Sequence, residues 1–460
     1  MLRLSSYSIL SARLANGGYA LLNGLSGAMD IISEDLFGAL RWRLENDDNR
    51  CIFFDDGFFP VELQSQFIER GHLTTADHET EKGLLAETAG ALFNRSKVTP
   101  RFTIVPDTDC NYRCVYCFEK HLQKNTGGRA PMGAEKVASI FRAIEEIGGP
   151  NANKHGVALY GGEPLNAKNK EVVYKIVDTG RAKGYRFSAI TNGHCLDKFL
   201  PLMGGGGIEE IQVTIDGSKE VHDKRRVAMD GSSSYDQIIA NFRRLVRETD
   251  TQIHLRVNVD SQNAGSLEAL FADLEAEGLF GIPQIVYYVS PVHGPDAAPF
   301  GNDGVEEAIR KFKIGYPKVN IGSSRRHSGE AILSGLLGKS PYQLKSAYCG
   351  AVSNMYIFLP DGSIASCLEA LGRDENIIGS YSDSGVTLGG DMYELWMNRS
   401  ADKIPQCIEC RYCLICAGGC PQQAMDRRGS LYAPDCGDFA ESYPGVLADA
   451  AERFLTAHRV

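Results

Sequence analysis

Between residues 100 and 300, apolar residues alternate with polar ones in six short runs, at 102–105, 156–160, 186–191, 210–215, 253–259 and 285–290. A period of two places one face of a strand in a core. Between the runs, at about 133–147, 168–181, 196–203, 233–247 and 266–277, apolar positions recur at helical spacing instead. Strand alternating with helix predicts an α/β fold with a parallel sheet and right-handed crossovers. Six units fall short of the eight that close a barrel, so an open, partial (β/α)6 barrel is expected over 96–300. In such sheets chemistry gathers in the loops after the C-terminal ends of strands.

The flanks read differently. Residues 5–10 and 19–22 alternate as strands about the turn Ala15-Asn-Gly-Gly18, and 23–27 is a second turn. Ser33 reads as the cap of a helix to about Glu45. Residues 51–54 read as a strand, Pro60 opens a helix that Gly71 stops, and a further helix covers about 80–93. Hairpin, helix, strand, helix, helix is the plan of a small winged-helix-like α+β domain over 1–95. After the barrel, helices near 304–312 and 330–335 flank a polar loop, making a bridge over 301–345. A cysteine-rich domain follows at 346–440, and a C-terminal helix at 441–460.

The chain has 460 residues, enough for two to four domains. Its 48 Lys and Arg against 58 Asp and Glu give a net charge of −10, which argues against nucleic acid as a partner. No apolar run is long enough to span a bilayer, and the N-terminus lacks a secretory core, so a cytoplasmic protein without membrane attachment is expected. Thirteen cysteines in a leaderless chain point to metal sites and not to a disulfide framework. Three lie at 110–117 and eight between 349 and 436; Cys51 and Cys195 stand apart and read as ordinary buried residues.

Cys110, Cys114 and Cys117 follow the first strand in the run Pro106-Asp-Thr-Asp-Cys-Asn-Tyr-Arg-Cys-Val-Tyr-Cys-Phe118. Three thiolates at this spacing can grip a four-iron cluster and leave one iron open to a small molecule. His121 is near enough to complete a zinc site instead. The C-x3-C-x2-C spacing, with Tyr116 before the last Cys, resembles the radical SAM superfamily. Further matches sit past successive strands. Gly161-Gly-Glu-Pro164 resembles the family's motif for the methionine amine of S-adenosylmethionine, and Thr191-Asn-Gly193 a segment facing the ribose. Asp216-Gly217 with His222-Asp223-Lys-Arg-Arg226 is similar to a run near that ligand, and Arg256 is another candidate for its carboxylate. Residues 286–290 could supply apolar contacts to adenine. The resemblance therefore implies that Cys110, Cys114 and Cys117 hold a catalytic [4Fe–4S] cluster. It further implies that Tyr116, Gly161, Gly162, Glu163, Pro164, Asn192, Asp216, Arg226 and Arg256 contact S-adenosylmethionine. Reductive cleavage of that cofactor would yield a 5′-deoxyadenosyl radical that removes hydrogen from an unactivated carbon.

The second cysteine field resembles a SPASM domain. Cys349 precedes Gly362-x4-Cys367, then Cys407-x2-Cys410-x5-Cys416-x3-Cys420, then Cys436. The resemblance implies two auxiliary [4Fe–4S] clusters, three in all. Cys407, Cys410, Cys416 and Cys436 would hold the outer one, and Cys349, Cys367 and Cys420 the inner. Cys413 falls inside the x5 gap; with it, Cys410-x2-Cys413-x2-Cys416-x3-Cys420-Pro421 also reads as a ferredoxin run. Cys413 would complete the inner cluster or be a spare thiol. Such proteins mostly modify peptides or proteins, and the N-terminal region looks like the element that captures a leader peptide in maturases of ribosomally made peptides. The expected partners are a precursor peptide with its leader and an electron donor such as flavodoxin or ferredoxin. The expected product is a thioether or carbon–carbon crosslink between side chains. Modification of a folded protein, as by sulfatase maturases, or of a small molecule is the alternative. Sulfatase maturases place an Asp base directly after the Cys of G-x4-C, where this chain has Leu368. A non-enzymatic electron carrier or zinc scaffold is the reading from another class.

Overall fold

The computed structural model describes residues 2–45, 61–124, 130–154, 156–292, 303–321, 331–334, 336 and 343–457. The expected strand at 51–54, the polar loop at 323–328 and Cys51 lie outside the described residues. The chain forms two compact units. One comprises Thr99–Gly322 and Asn354–Glu394; the other comprises Met1–Val98, Ser323–Ser353 and Leu395–Val460.

The first unit is built on one sheet. Its six expected strands are β1 (Arg101–Ile104), β2 (Val157–Leu159), β3 (Phe187–Thr191), β4 (Ile208–Thr214), β5 (Gln252–Val259) and β6 (Ile285–Pro291). Each pairs in parallel with the next. β5 shows why the pattern was legible: Ile253, Leu255, Val257 and Val259 are buried, whereas Gln252, His254, Arg256 and Asn258 on the other face are half-buried. The apolar face is covered by helices such as Ser234–Glu248, which buries Tyr235, Ile238, Ile239, Phe242 and Leu245 at helical spacing. The other face supplies polar side chains at the strand ends.

Further strands extend the sheet on both sides. β7 (Asn320–Ile321) adds in parallel to β6, and β8 (Met355–Phe358) adds in parallel to β1. From β8 the sheet runs on antiparallel through β9 (Ser363–Ala365), β10 (Ile377–Ser382) and β11 (Gly385–Leu388). The order is β7-β6-β5-β4-β3-β2-β1-β8-β9-β10-β11, an open, partial barrel. The helix expected at 196–203 is instead two 3-10 turns, Leu196–Lys198 and Leu200–Leu202. Pro201 has no amide proton to continue a helix. Cys195, expected to be buried, is half-buried.

In the second unit, Ser8–Leu10, Tyr19–Asn23 and Met29–Ile32 form an antiparallel sheet. The last of these escaped the pattern because it is short and carries Asp30, which pairs with Arg70 and His72. Helices follow at Glu34–Glu45, Val61–Glu69 and His78–Lys97. Residues 1–98 share a core with the cysteine-bearing segment: Tyr7, Leu85 and Ala89 pack with Ala401, Ile404, Cys407, Cys413, Leu414 and Ala417. Polar contacts join the same segments. The Tyr7 hydroxyl donates to Ile408 O at 2.9 Å, Arg411 donates to Ser8 O at 3.2 Å, and Lys82 pairs with Glu409 at 2.5 Å. The boundaries drawn at 95 and 346 thus divide the chain differently from its contacts. No described helix is long and apolar enough to cross a membrane.

Candidate functional site

The cysteine loop leaves β1 and returns as a short strand, Tyr112–Cys114, paired antiparallel with Arg226–Ala228, so that Cys114 stands opposite Arg226. Cys110 is buried, and its Sγ accepts from the Tyr112 amide at 3.3 Å; Asn192 Nδ2 lies 3.7 Å from the same sulfur. Burial pushes the Cys110 and Cys114 thiols up, and Cys117 to about 11, with the neighbouring sulfurs adding to the shift in Cys110 and Cys117. His121, the alternative zinc ligand, has Nδ1 3.1 Å from Phe118 O and Nε2 2.8 Å from Leu371 O, so both nitrogens face backbone carbonyls. No described cysteine is in a disulfide. Among the described residues, no group of three or more His, Cys, Asp or Glu side chains has an arrangement that could hold a single metal ion.

The two glycines after β2 are required by close approach. A Cβ on Gly161 would stand 2.4 Å from Asp107 O, and one on Gly162 would stand 2.3 Å from Asp109 O. The turn therefore lies directly against the cysteine loop, and the Glu163 amide donates to Asp109 O at 3.0 Å. The Glu163 carboxylate is buried and accepts three bonds from its own chain: Thr191 Oγ1 at 2.6 Å, the Asn192 amide at 2.5 Å and the Leu165 amide at 2.8 Å. Burial raises its pKa to about 7, against these donors. It clasps the turn after β2 to the turn after β3. Asn192 Nδ2 in turn donates to Asn111 Oδ1 at 2.7 Å, back in the cysteine loop. A cleft of about 230 Å³ opens beside Cys110, with Asn111, His194 and Asp230 on its walls.

Tyr116 is the hub of a second set. Its hydroxyl donates to Asp216 and accepts from Arg226 Nη1 at 2.8 Å and Asn258 Nδ2 at 3.2 Å. Asp216 is fully buried, and burial raises its carboxyl, opposed by the Arg226 charge and the Tyr116 bond. His222 Nδ1 accepts from the Asp216 amide at 3.1 Å, and Asp223 caps the helix Ser234–Glu248 by accepting from Ser233, Ser234 and the Tyr235 amide. The His-Asp pair of the sequence run thus braces the loop. Arg225 makes a two-point ion pair with Asp260, at 3.2 and 2.8 Å, and lies 5.0 Å from the centre of the Tyr116 ring. Arg256 donates to Asn258 Oδ1 at 2.7 Å and Ser290 Oγ at 3.2 Å.

Tyr116, Asp216, Arg226 and, through Asn258, Arg256 are therefore brought together. Gly161, Gly162, Glu163, Pro164 and Asn192 form an adjoining clasp around Cys110. Sequence reasoning passed over Asn258, although it shares a face of β5 with Arg256, two residues away. It also passed over Glu119, which is buried and whose Oε1 has no hydrogen-bond partner among the described residues.

In the second unit, burial pushes the Cys407 thiol to about 12 and Cys416 to about 11. Cys407 feels the charges of Cys416, Cys410 and Cys436; Cys410 and Cys416 both feel Cys436. Cys413 is also buried and pushed up, by burial first and then by Cys407, Cys410, Asp402 and Cys416. Cys367 lies in the other unit, after β9, where its amide donates to Asn376 Oδ1 at 2.8 Å.

The donor chemistry of the cysteine loop fits an iron–sulfur cluster. It has three thiols, one buried and two half-buried, and an amide aimed at the buried sulfur, a setting where a thiolate needs a cation to persist. Residues 104–273 match the family described as Radical SAM superfamily. The chain is 21% identical over 326 residues to a cysteine-type anaerobic sulfatase-maturating enzyme of Clostridium novyi (strain NT), covering 68% of this chain and 85% of that one. Among solved structures, native anSMEcpe with bound AdoMet aligns with a TM-score of 0.57 at 15% identity, over 78% of this chain and all of that one. Streptococcus suis SuiB bound to S-adenosylmethionine aligns with a TM-score of 0.51 at 13% identity, over 94% of this chain and 98% of that one. The cysteine loop, the strand order and these likenesses converge, and the chain carries a radical SAM domain over residues 104–273.

Proposed function

We propose that the protein is a radical S-adenosylmethionine maturase that crosslinks side chains, by thioether or carbon–carbon bonds, within a ribosomally synthesised precursor peptide. The observation that carries the reading is the meeting of the Cys110–Cys117 loop with Glu163, Asn192, Tyr116, Asp216 and Arg226 at successive strand ends. Cys110, Cys114 and Cys117 would hold the catalytic cluster. When bound, that cluster and S-adenosylmethionine together supply a 5′-deoxyadenosyl radical. The chain's own residues position and enclose. Gly161 and Gly162 bring backbone carbonyls to the cysteine loop, where they can accept from the methionine ammonium. Arg226, with its guanidinium held by the Tyr116 hydroxyl, offers donors to a carboxylate. Arg256, held by Asn258 and Ser290 on the polar face of the sheet, is the other candidate for that carboxylate, and Asn192 would face the ribose.

In the second field, Cys407, Cys410, Cys416 and Cys436 would hold the outer auxiliary cluster, with Cys413 left as a buried thiol. Residues 1–98 would recognise the leader peptide by strand addition, and a flavodoxin or ferredoxin would supply electrons. The peptide reading draws further support from anSMEcpe, which is also solved with AdoMet and the Cp18Cys peptide bound. A folded-protein substrate is the second reading, favoured by the likeness to the sulfatase-maturating enzyme. Leu368 after Cys367 weighs against it, since a leucine cannot accept a proton.

Co-expression with a short peptide encoded beside the gene, followed by mass spectrometry, tests this. Each crosslink removes two hydrogen atoms from the peptide. An unmodified peptide, with deoxyadenosine still formed, would transfer the protein to the second reading.

A further inference from the structure

Arg399 is among the largest fully buried side chains in the protein, at 1% exposure. Among the described residues, its guanidinium donates hydrogen bonds only to backbone carbonyls. Nε donates to Leu431 O, Nη1 to Gly419 O at 3.3 Å, and Nη2 to Gly418 O at 3.2 Å and Ala433 O at 3.3 Å. No carboxylate among the described residues pairs with it. A buried cation without an anion is strongly unfavourable, and carbonyl dipoles offset only part of that cost. Something negative must therefore stand near it in the working protein.

The chain supplies the candidates. The four carbonyls belong to two loops: Gly418 and Gly419 lie between Cys416 and Cys420, and Leu431 and Ala433 lead into Cys436. Gly418 adopts a φ of 77°, and a Cβ there would stand 3.4 Å from Arg399 Nη2 and 3.7 Å from Cys407 Sγ. The cation and the Cys407 sulfur thus lie about one glycine, where the Ile404 Cδ1 methyl, 2.5 Å from the same point, packs beside them. Cys407, Cys349 and Cys420 all act electrostatically on Arg399, each favouring its charged form against the burial that opposes it. Lys345 is a second cation in the field, influenced by Cys416 and Cys349.

We propose that Arg399 is the fixed counter-charge of the second cysteine field, a positioning residue that holds the Cys416–Cys420 turn against the Cys436 loop and raises the reduction potential of the iron–sulfur cluster bound there. The inference rests on the reading of this field as cluster-binding. One-electron reduction adds a negative charge to a group already negative through its thiolates. A cation held next to a ligand sulfur stabilises the reduced form more than the oxidised one. Arg399 also differs from a simple loop staple, which would serve as well without charge.

The test compares Arg399→Gln and Arg399→Lys in the full chain, reconstituted anaerobically. Cys114→Ala is built into every protein so that signals from the catalytic loop are suppressed. Iron per chain is measured, and the auxiliary signal is followed by electron paramagnetic resonance in a dithionite titration. Arg399→Gln should load iron yet shift the reduction equilibrium at least tenfold toward the oxidised form, about 59 mV more negative for a one-electron couple. Arg399→Lys, which keeps the charge, should stay close to the parent potential. An unchanged potential in loaded Arg399→Gln overturns the proposal. If Arg399→Gln cannot be loaded, a loaded Arg399→Lys with parent potential supports the charge role; failure of both to load overturns it in favour of hydrogen bonding alone. A parent protein that binds no iron in this field overturns the cluster reading itself, a distinct result.

Discussion

Tyr116 shows how much one side chain can organise. Its hydroxyl connects the cysteine loop to Asp216 after β4, to Asn258 on β5 and to Arg226 on the strand opposite Cys114. Tyr116→Phe should leave these buried groups short of a partner and destabilise the barrel unit by about 1–3 kcal/mol, read as a lower denaturant midpoint. It should also weaken S-adenosylmethionine binding; unaltered stability and affinity would remove the hub. A second residue-scale expectation concerns pH. Burial alone would raise the Asp30 carboxyl, but bonds and charges from His72 and Arg70 hold it below the ordinary range. A depressed folded pKa gives stability that is present above the unfolded value, about 3.9, and is lost as pH falls through the folded one. Asp30→Asn should therefore flatten the fall in thermal stability below about pH 4 and change little near neutrality. At this scale the sequence exposed residues whose types suit a chemical role, namely the thiols, the paired glycines, Asp216 and Arg226. It hid the bonds that tie them down. The Glu163 carboxylate reads as a ligand for an ammonium, yet three donors from neighbouring turns already use it. Those donors come from Leu165, Thr191 and Asn192, and for the last two no local pattern indicates that two turns 28 residues apart will meet.

Elements were legible wherever burial imposed a period. All six strands of the expected barrel exist because each must bury one face, and β5 does so at every second residue. β7 and the strands from β8 onward were not foreseen, because runs of two to six residues near turns carry too few repeats to register. The helix His78–Lys97 illustrates a different gap. Its pattern announces a helix with a buried stripe, but not what covers the stripe. Leu85 and Ala89 pack on Ile404, Cys407, Cys413 and Leu414. Ala89→Asp would bury a charge in that contact and should cost several kcal/mol. The measurable outcome is loss of iron from the second cysteine field, with iron at the Cys110 loop retained. Full iron content would show that the helix and the field are independent.

For the molecule as a whole, residues 1–98 belong to the unit that carries most of the second cysteine field, whereas residues 354–394 belong to the barrel unit. Removing the N-terminal residues should therefore do more than weaken peptide binding: it should strip the field of its core and lower its iron. On the proposed reading, three four-iron clusters would give about twelve irons per chain. Replacing Cys407, Cys410 and Cys416 together by Ala should lower the total by about four while the catalytic loop keeps its own. The central claim is that Cys110, Cys114 and Cys117 serve a radical reaction on S-adenosylmethionine. The direct measurement is 5′-deoxyadenosine, quantified after the anaerobically reconstituted full chain is reduced with dithionite in the presence of S-adenosylmethionine. The account predicts deoxyadenosine from the parent protein and none from Cys114→Ala; none from an iron-loaded parent, or equal amounts from both, would contradict it.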